Sequence, residues 1–315
     1  MTKMTAVDPG GDCPIWRSFL QYVTKENVEL QDFLQRVCGY ALTGVTNEHA
    51  LFFFYGTGKN GKSVFLNTIN RIMADYQKTA AIETFTASTT NQHPTDLAGL
   101  MGARLVTAIE TEEGRCWAES RIKALTGGDK ISARFMRQDF FEFTPQFKLM
   151  IAGNHKPGLR AVDEAMRRRF NLIPFTVFIT EEKRDKNLEE KLINEWPGIL
   201  QWMIEGCMAW QKDGLKAPEV VISATAEYLE AEDALAAWLD ECCDRISGTY
   251  ASVGDLFTSW LKWAKEAGEQ PGSKKSFSQN LSARGFQKGK GRAKRDFQDI
   301  KLKMLVGTST GGSEF

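Results

Sequence analysis

Residues 56–63 have the types and spacing that hold a phosphate chain. They read Gly-Thr-Gly-Lys-Asn-Gly-Lys-Ser and match the pattern G-x-x-x-x-G-K-[ST] at each fixed position. Glycines let successive backbone N–H groups point at phosphate oxygens, and a helix that starts here adds the positive end of its dipole. Lys62 would reach the β- and γ-phosphates, and Ser63 would ligate Mg²⁺. The alternative is a glycine-rich turn that binds nothing.

The context of this loop favours an ATP and Mg²⁺ site. A strand-like apolar run, residues 51–55, precedes it, and an amphipathic helix pattern follows it, as the motif requires. The predicted nucleotide-binding residues are Gly56, Thr57, Gly58, Lys59, Asn60, Gly61, Lys62 and Ser63.

Such a site needs an acidic group at the end of a second strand, to hold the metal and polarise water. Residues 104–109 form a strand-length run that ends at Glu110, and Glu112 lies two residues further on the same side of an extended chain. We assign Glu110 to the Mg²⁺ and water site and Glu112 as its partner carboxylate. The alternative for both is a solvated acidic loop.

A third strand candidate, residues 148–153, ends at Asn154. The amide of this residue can sense the γ-phosphate and orient the attacking water. Because asparagine and proline also form turns, residues 154–157 can equally be a plain turn.

Three consecutive arginines precede a fourth strand candidate, residues 170–175. In a ring of subunits, Arg168 or Arg169 would face the neighbour's nucleotide and stabilise transition-state charge in trans. The alternative is a solvated basic face. If the first hypothesis holds, activity requires assembly.

Two further regions are candidates for contact with DNA. Residues 131–135 and 140–143 read as a hairpin whose polar turn carries Arg137, which would track phosphates of single-stranded DNA; the alternative is a hairpin that only packs on the core. Between residues 274 and 303, ten basic residues stand against two acidic ones, in a chain of zero formal net charge. Lys288, Lys290 and Arg292, in a basic turn, would contact duplex phosphates without reading sequence, unless this tail is simply solvated.

These residues require a scaffold of buried strands interleaved with helices. Apolar runs of strand length alternate with helical segments between residues 49 and 175, which predicts an α/β fold with a parallel sheet covered on both faces. A helical pattern covers residues 16–42. Helical patterns at 234–242, 253–264 and 276–283, followed by two short strands around the basic turn, indicate a winged-helix layout.

Composition excludes several classes of protein. With 42% hydrophobic and 25% charged residues the chain is typical of soluble globular proteins, and no apolar run of 18 residues could span a membrane. The first 13 residues lack the apolar stretch of a secretory signal. The six cysteines contain no C-x-x-C pair, so we expect reduced thiols in a cytoplasm rather than a zinc module or a disulfide framework.

Taken together, the motifs resemble those of the superfamily 3 helicases, and more narrowly the helicase half of phage and plasmid primase–helicase proteins. The resemblance rests on the phosphate loop, the Glu-Thr-Glu sequence at 110–112, and three further blocks at 122–134, 152–157 and 168–175. Glu-Thr-Glu departs from the adjacent acidic pair of many members, which leaves open which carboxylate activates water.

The resemblance implies an AAA+-like motor with a five-stranded parallel sheet, which assembles as a hexameric ring and hydrolyses ATP between subunits. It implies translocation on single-stranded DNA, usually 3′ to 5′, at a replication fork or origin of a phage, plasmid or mobile element. It also implies that Lys62 and Ser63 act in the phosphate loop, Glu110 in the acidic motif, Asn154 as sensor and Arg168 or Arg169 as the finger. No primase domain fits before residue 16, so we expect either a piece of a longer primase–helicase or a helicase that relies on a separate primase.

We predict five segments along the chain. They are an N-terminal helical domain (1–48), the P-loop ATPase core (49–178), a helical connector (179–232), a winged-helix-like DNA-binding module (233–306) and a disordered tail (307–315).

Two other functions remain open. An ATP-switched replication initiator or loader would share the motor but bind duplex DNA specifically and unwind it negligibly. A monomeric P-loop small-molecule kinase would share only residues 56–63 and would need neither the hairpin nor arginines facing a neighbour.

Overall fold

The computed structural model describes residues 3–87, 95–110, 115–159, 164–268, 271–289 and 296–303. They form two compact units, Met1–Leu229 and Glu230–Phe315. The strands of the larger unit are, in chain order, β1 (Leu51–Tyr55), β2 (Gln77–Thr79), β3 (Leu105–Glu110), β4 (Ile131–Ala133), β5 (Phe141–Phe143), β6 (Lys148–Gly153) and β7 (Phe170–Pro174). Its helices are α1 (Pro14–Val23), α2 (Val28–Ala41), α3 (Lys62–Met73), α4 (Thr95–Ala98), α5 (Glu119–Gly127), α6 (Glu164–Arg167), α7 (Leu188–Ile193) and α8 (Trp196–Asp213).

The centre of the larger unit is a five-stranded sheet in the order β2-β3-β6-β1-β7, in which every neighbouring pair is parallel. The strands are near-continuous apolar runs because both faces of the sheet are covered; four consecutive residues of β1, starting at Leu51, have no exposed surface. The predicted α/β fold with a five-stranded parallel sheet is therefore confirmed. Its strand order brings the carboxyl ends of β1, β3 and β6 to one edge, with β6 in the middle.

The helical pattern predicted over residues 16–42 is two helices rather than one. Lys25 and Glu26 adopt the left-handed conformation, with φ of 53° and 61°, and end α1. Asn27 then caps α2, because its side-chain oxygen accepts a hydrogen bond from the backbone N–H of Leu30 at 2.9 Å. The break turns α2 back along the unit.

Helices α2 and α8 cross at very short range. A Cβ atom on Gly39 would lie 2.0 Å from the backbone nitrogen of Cys207, and one on Gly206 would lie 2.1 Å from the carbonyl oxygen of Gln35. Only glycine permits this approach, so the two helices share one apolar core with one face of the sheet.

The structure divides the chain differently from the five predicted segments. Helices of the predicted N-terminal domain (1–48) and of the predicted connector (179–232) pack together and on the sheet, because neither segment could bury its apolar side chains alone. The functional independence of the five segments stays a prediction, and the tail 307–315 lies outside the described residues.

Helix α9 (Glu219–Cys242) crosses from the larger unit into the smaller one. The smaller unit continues with β8 (Cys243–Asp244), β9 (Tyr250–Ser252), α10 (Val253–Ala267), α11 (Lys274–Ala283), β10 (Asp296–Gln298) and β11 (Lys301–Leu302). Strand β10 pairs antiparallel with β9 and contacts Lys288 across the basic turn. The three predicted helical segments are present, but the short strands β8 and β9 lie between the first two, and Lys288 pairs with Phe297 only through an isolated bridge. The winged-helix module stays a prediction. Among the described residues, none of the helices has both the length and the apolar character needed to cross a bilayer.

Candidate functional site

The loop between β1 and α3 is shaped by three glycines. Gly58 and Gly61 have φ of +101° and +88°, a region that side chains rarely adopt. A Cβ atom on Gly56 would lie 2.2 Å from both the Asn60 amide nitrogen and the Phe175 carbonyl oxygen. Beside Gly58 there is open space, and the first turn of α3 starts at Lys62. A glycine-rich loop that leads into a helix N-terminus suits a phosphate chain.

The ammonium group of Lys62 is held by three oxygens. It donates hydrogen bonds to the Gly56 carbonyl at 2.6 Å, to the Asn60 side-chain oxygen at 3.2 Å and to the Asn154 side-chain oxygen at 3.2 Å. Lys62 is 5% exposed, and its burial lowers the pKa of the amine to about 8. Because these three oxygens are neutral, an arriving phosphate would offer the ammonium a partner of opposite charge.

Asn60 is a structural residue of the site that sequence reasoning missed. The prediction used only its backbone, but its buried amide donates to the Phe175 carbonyl at 3.1 Å while its oxygen accepts from Lys62. It thereby fastens the loop to the end of β7. Asn60 occupies a variable position of the motif, so no signal in the sequence could have found this role.

The ends of β3 and β6 lie side by side at the same edge of the sheet. Glu110 is the last residue of β3 and pairs in register with Gly153, the residue directly before Asn154. Its backbone therefore ends at the same sheet edge as Asn154, and its role in holding the metal stays a prediction. Ser63, in the first turn of α3, is exposed and lines a cavity that opens from the loop. Glu112 lies outside the described residues.

The donor set fits a magnesium–phosphate complex better than a protein-only metal site. No cluster of three or more histidine, cysteine, aspartate or glutamate side chains occurs in the part of the chain that the structure describes. Mg²⁺ characteristically binds through one or two protein oxygens together with substrate phosphates. Ser63 and Glu110 match that pattern, and their roles stay predictions.

The two candidate finger arginines have different surroundings. The Arg169 guanidinium donates to the Thr126 hydroxyl at 3.1 Å and to the Ala165 carbonyl at 2.8 Å, which holds it within its own subunit. The Arg168 side chain is 71% exposed and lies 4.0 Å from Glu164. An arginine that reaches a neighbour must leave its own subunit's surface, so Arg168 is the better placed of the two.

A cavity of ≈ 1300 Å³ opens from the phosphate loop. The loop, the end of β6 and Asn154 form one end of its lining, and α1 with residues 179–193 forms the other. The cavity is large enough for a nucleotide.

The predicted DNA-contacting residues are only partly described. Arg137 is exposed at the tip of the β4–β5 hairpin, with φ of 62°, between the equally exposed Met136 and Phe140. Lys288 is exposed and forms an isolated bridge with Phe297. Lys290 and Arg292 lie outside the described residues.

The amino-acid sequence of this chain is similar to a protein family and to several viral proteins. Residues 54–169 match a family of unknown function (DUF5906). The chain is 25% identical over 268 residues to "Putative helicase L207/L206" of Acanthamoeba polyphaga mimivirus, covering 78% of this chain and 28% of that protein. It is 24% identical over 254 residues to "Putative helicase 022R" of Frog virus 3, covering 73% and 26%. The chain thus spans about a quarter of the length of these relatives.

Solved structures show the same fold. The apo structure of the NrS-1 C-terminal region (305–718) superposes with a TM-score of 0.56 at 11% identity, over 95% of this chain and 78% of that one. A second apo form of that region gives a TM-score of 0.55 at 12% identity. The likeness to these structures shows the fold, and the viral relatives that match in sequence carry helicase names.

Proposed function

We propose that this chain is the motor part of an ATP-dependent DNA helicase. The observation that carries the proposal is the meeting of Lys62 and Asn154, 3.2 Å apart, at the edge where β1 and β6 end. A glycine-rich turn without a ligand has no need of a buried ammonium beside a second strand's polar terminus. The helicase names of the viral relatives support the choice of activity.

In this proposal the substrate is ATP with Mg²⁺. The metal would neutralise charge on the phosphates, held by Ser63 and Glu110, while Lys62 binds the β- and γ-phosphates. Asn154 orients the attacking water, and Glu110 or Glu112 accepts its proton. Because Lys62 and Asn154 already touch, the site is organised before the nucleotide arrives.

The working assembly in this proposal is a homohexameric ring. Arg168, exposed beside α6, would reach the neighbouring subunit's γ-phosphate and stabilise charge there in trans. Arg169 would help to position Arg168, because its guanidinium joins α6 to α5 by hydrogen bonds to Ala165 and Thr126.

DNA would contact two places. Arg137, at the exposed hairpin tip, would track single-stranded phosphates during movement in the 3′ to 5′ direction. Lys288, Lys290 and Arg292 would hold duplex phosphates at the fork. We place this activity in the replication of a phage, plasmid or similar mobile element in the host cytoplasm, together with a primase.

ATP turnover with and without single-stranded DNA tests the motor. The wild type is expected to hydrolyse ATP faster when DNA is present, and Lys62→Ala is expected to reduce turnover at least 100-fold, because one preorganised charge contact in a phosphoryl-transfer site contributes about 3 kcal/mol or more. Lys212→Ala, which removes an exposed cation in the last turn of α8, outside the cavity lining, is the matched control. A rate of ATP hydrolysis that does not change when single-stranded DNA is added would contradict a translocating motor.

Mixing variants tests action between subunits. Lys62→Ala and Arg168→Ala chains should each be nearly inactive alone. Mixed rings should recover part of the activity, because an intact Lys62 site then meets an intact Arg168 from its neighbour. If Arg168→Ala keeps full turnover as a monomer, the ring is not required and a monomeric P-loop enzyme becomes the better interpretation.

An initiator or loader remains the second candidate, favoured by the exposed Lys288 beside strand β10 of the smaller unit. Strand-displacement assays separate the two. Tight, salt-dependent duplex binding with ATP hydrolysis but no unwinding would favour the initiator.

A further inference from the structure

The cavity that opens from the phosphate loop has a second end, formed by α1 on one side and by residues 179–193 on the other. Its lining combines apolar side chains, Ile15, Phe19, Tyr22, Ile179 and Ile193, with charged side chains from residues 183–190. None of these residues has a part in the phosphate chemistry described above.

Helix α1 is fixed rigidly beside the phosphate loop. Trp16 stacks on Phe65 of α3 with ring centroids 5.4 Å apart. At Gly61, a Cβ atom would lie 2.7 Å from a Val23 methyl carbon and 2.9 Å from the Phe19 ring. Tyr22, one turn beyond Phe19, lines the cavity and is 37% exposed. The helix therefore presents an aromatic ring at a fixed distance from the loop.

The facing wall is tied to the same loop. The Ile179 N–H donates to the Lys59 carbonyl at 2.7 Å, and the Lys59 ammonium pairs with Glu181 at 2.8 Å. The Lys183 ammonium lies 5.9 Å from the centroid of the Tyr22 ring, so the two walls face each other. Ile193, at the end of α7, keeps 42% of its surface exposed.

The position of the phosphate loop limits where the rest of a bound nucleotide can lie. Its terminal phosphate belongs at Lys62 and Asn154, and α1 with residues 179–193 lines much of the remaining cavity. Exposed aromatic and aliphatic side chains there gain free energy by covering a flat ring, since every base has a π-face that packs on an aromatic side chain.

We propose that α1 and residues 179–193 form the nucleobase pocket of this enzyme, with Tyr22 as the side chain against which the base packs. The inference rests on the proposed nucleotide site but adds residues outside the phosphate loop. The Tyr22 ring, rather than its hydroxyl, supplies the contact.

A base-free ligand separates the base pocket from the phosphate loop. Calorimetry would compare a non-hydrolysable ATP analogue with inorganic triphosphate, each with Mg²⁺, on the full chain. Tyr22→Ala is expected to weaken the analogue roughly tenfold, the usual effect of removing an aromatic ring that packs on a base, and to leave triphosphate affinity unchanged. Tyr22→Phe should bind both ligands as the wild type does. Tyr250→Ala, which removes an exposed ring outside the cavity, is the control.

The other outcomes overturn the inference in distinguishable ways. If Tyr22→Ala weakens both ligands equally, α1 supports the phosphate loop and does not hold the base. Unchanged affinity for both ligands would place the base elsewhere. If Tyr22→Phe loses as much as Tyr22→Ala, the hydroxyl and not the ring is the contact. If the wild type binds neither ligand, the proposed nucleotide site itself fails, and this pocket with it.

Discussion

A glutamate from the start of α8 caps helix α1, and its removal should destabilise the larger unit. The Glu195 carboxylate, 8% exposed, accepts hydrogen bonds from the backbone N–H groups of Ile15 at 2.9 Å and Trp16 at 2.8 Å. The first N–H groups of a helix have no partner within the helix, and no capping side chain from Cys13 satisfies them here. The cap therefore comes from a residue 179 positions away.

The two hydrogen bonds to Glu195 set the size of the expected loss in the free energy of unfolding. A hydrogen bond to a charged group contributes about 1.5–3 kcal/mol, and a buried donor left without a partner costs about 1–3 kcal/mol. Glu195→Ala leaves two donors without a partner, so we expect a loss of about 3 kcal/mol in the free energy of unfolding. Glu195→Gln keeps one acceptor oxygen but no charge, and we expect about half that loss.

Urea unfolding followed by tryptophan fluorescence measures the effect. Trp16 packs edge-on against Trp202 with centroids 5.6 Å apart, so the signal reports on this region. With a urea slope of about 3 kcal/mol/M for a unit of this size, the midpoint of Glu195→Ala should fall by about 1 M. Glu205→Ala, on the same helix and with only a 3.4 Å contact to Gln201, should change it little.

The result also bears on the nucleobase pocket, because a loosened α1 would present Tyr22 less firmly. We expect the Glu195→Ala chain to bind the ATP analogue more weakly and inorganic triphosphate as before. A midpoint within about 0.2 M of the wild type would refute the view that Glu195 holds α1 in place.

Three further predictions concern the helix crossing and two buried lysines. Gly39→Ala should lower the free energy of unfolding by about 3 kcal/mol or more, because the added Cβ would overlap the backbone of α8. Gly99→Ala is the control: it has open space beside it and should leave the free energy of unfolding nearly unchanged in the same urea assay. The affinity for inorganic triphosphate should fall as the pH rises above about 8, because burial lowers the pKa of Lys62 to about 8 and only the protonated amine attracts phosphate. Binding titrations from pH 7 to 9.5 should show this fall in affinity, and the Lys62→Ala chain should not show it. Burial, with a contribution from the charge of Arg104, lowers the pKa of Lys148 to about 7. The folded state therefore releases this proton before the unfolded state does, so stability should rise with pH from about 7 toward the ordinary lysine value. Between pH 7 and 9 the rise should be about 2 kcal/mol, and Lys148→Met should remove it; an unchanged slope in that variant would contradict the assignment.

Several features could be predicted from the sequence, because they depend on residues that are close along the chain. The phosphate loop is a contiguous motif whose glycines have strong backbone preferences, so residues 56–63 could be identified directly. The core strands are unbroken apolar runs, and the carboxyl ends of parallel strands share an edge, so Asn154 could be expected near Lys62. The three helices of the smaller unit followed from the apolar periodicity, whereas the short strands β8 and β9 between the first two were not predicted.

Other features were decided only by the tertiary structure, because they join residues far apart in the chain. Nothing in the sequence marks Glu195 as the cap of α1, Asn60 as the fastener between the loop and β7, or Gly39 as the point where α2 meets α8. Each of these roles depends on packing geometry, and a side chain's type constrains that geometry weakly. The same limit explains why Arg168 and Arg169 looked equivalent in the sequence, although the Arg169 guanidinium is hydrogen-bonded to α5 and α6 and the Arg168 side chain is largely exposed.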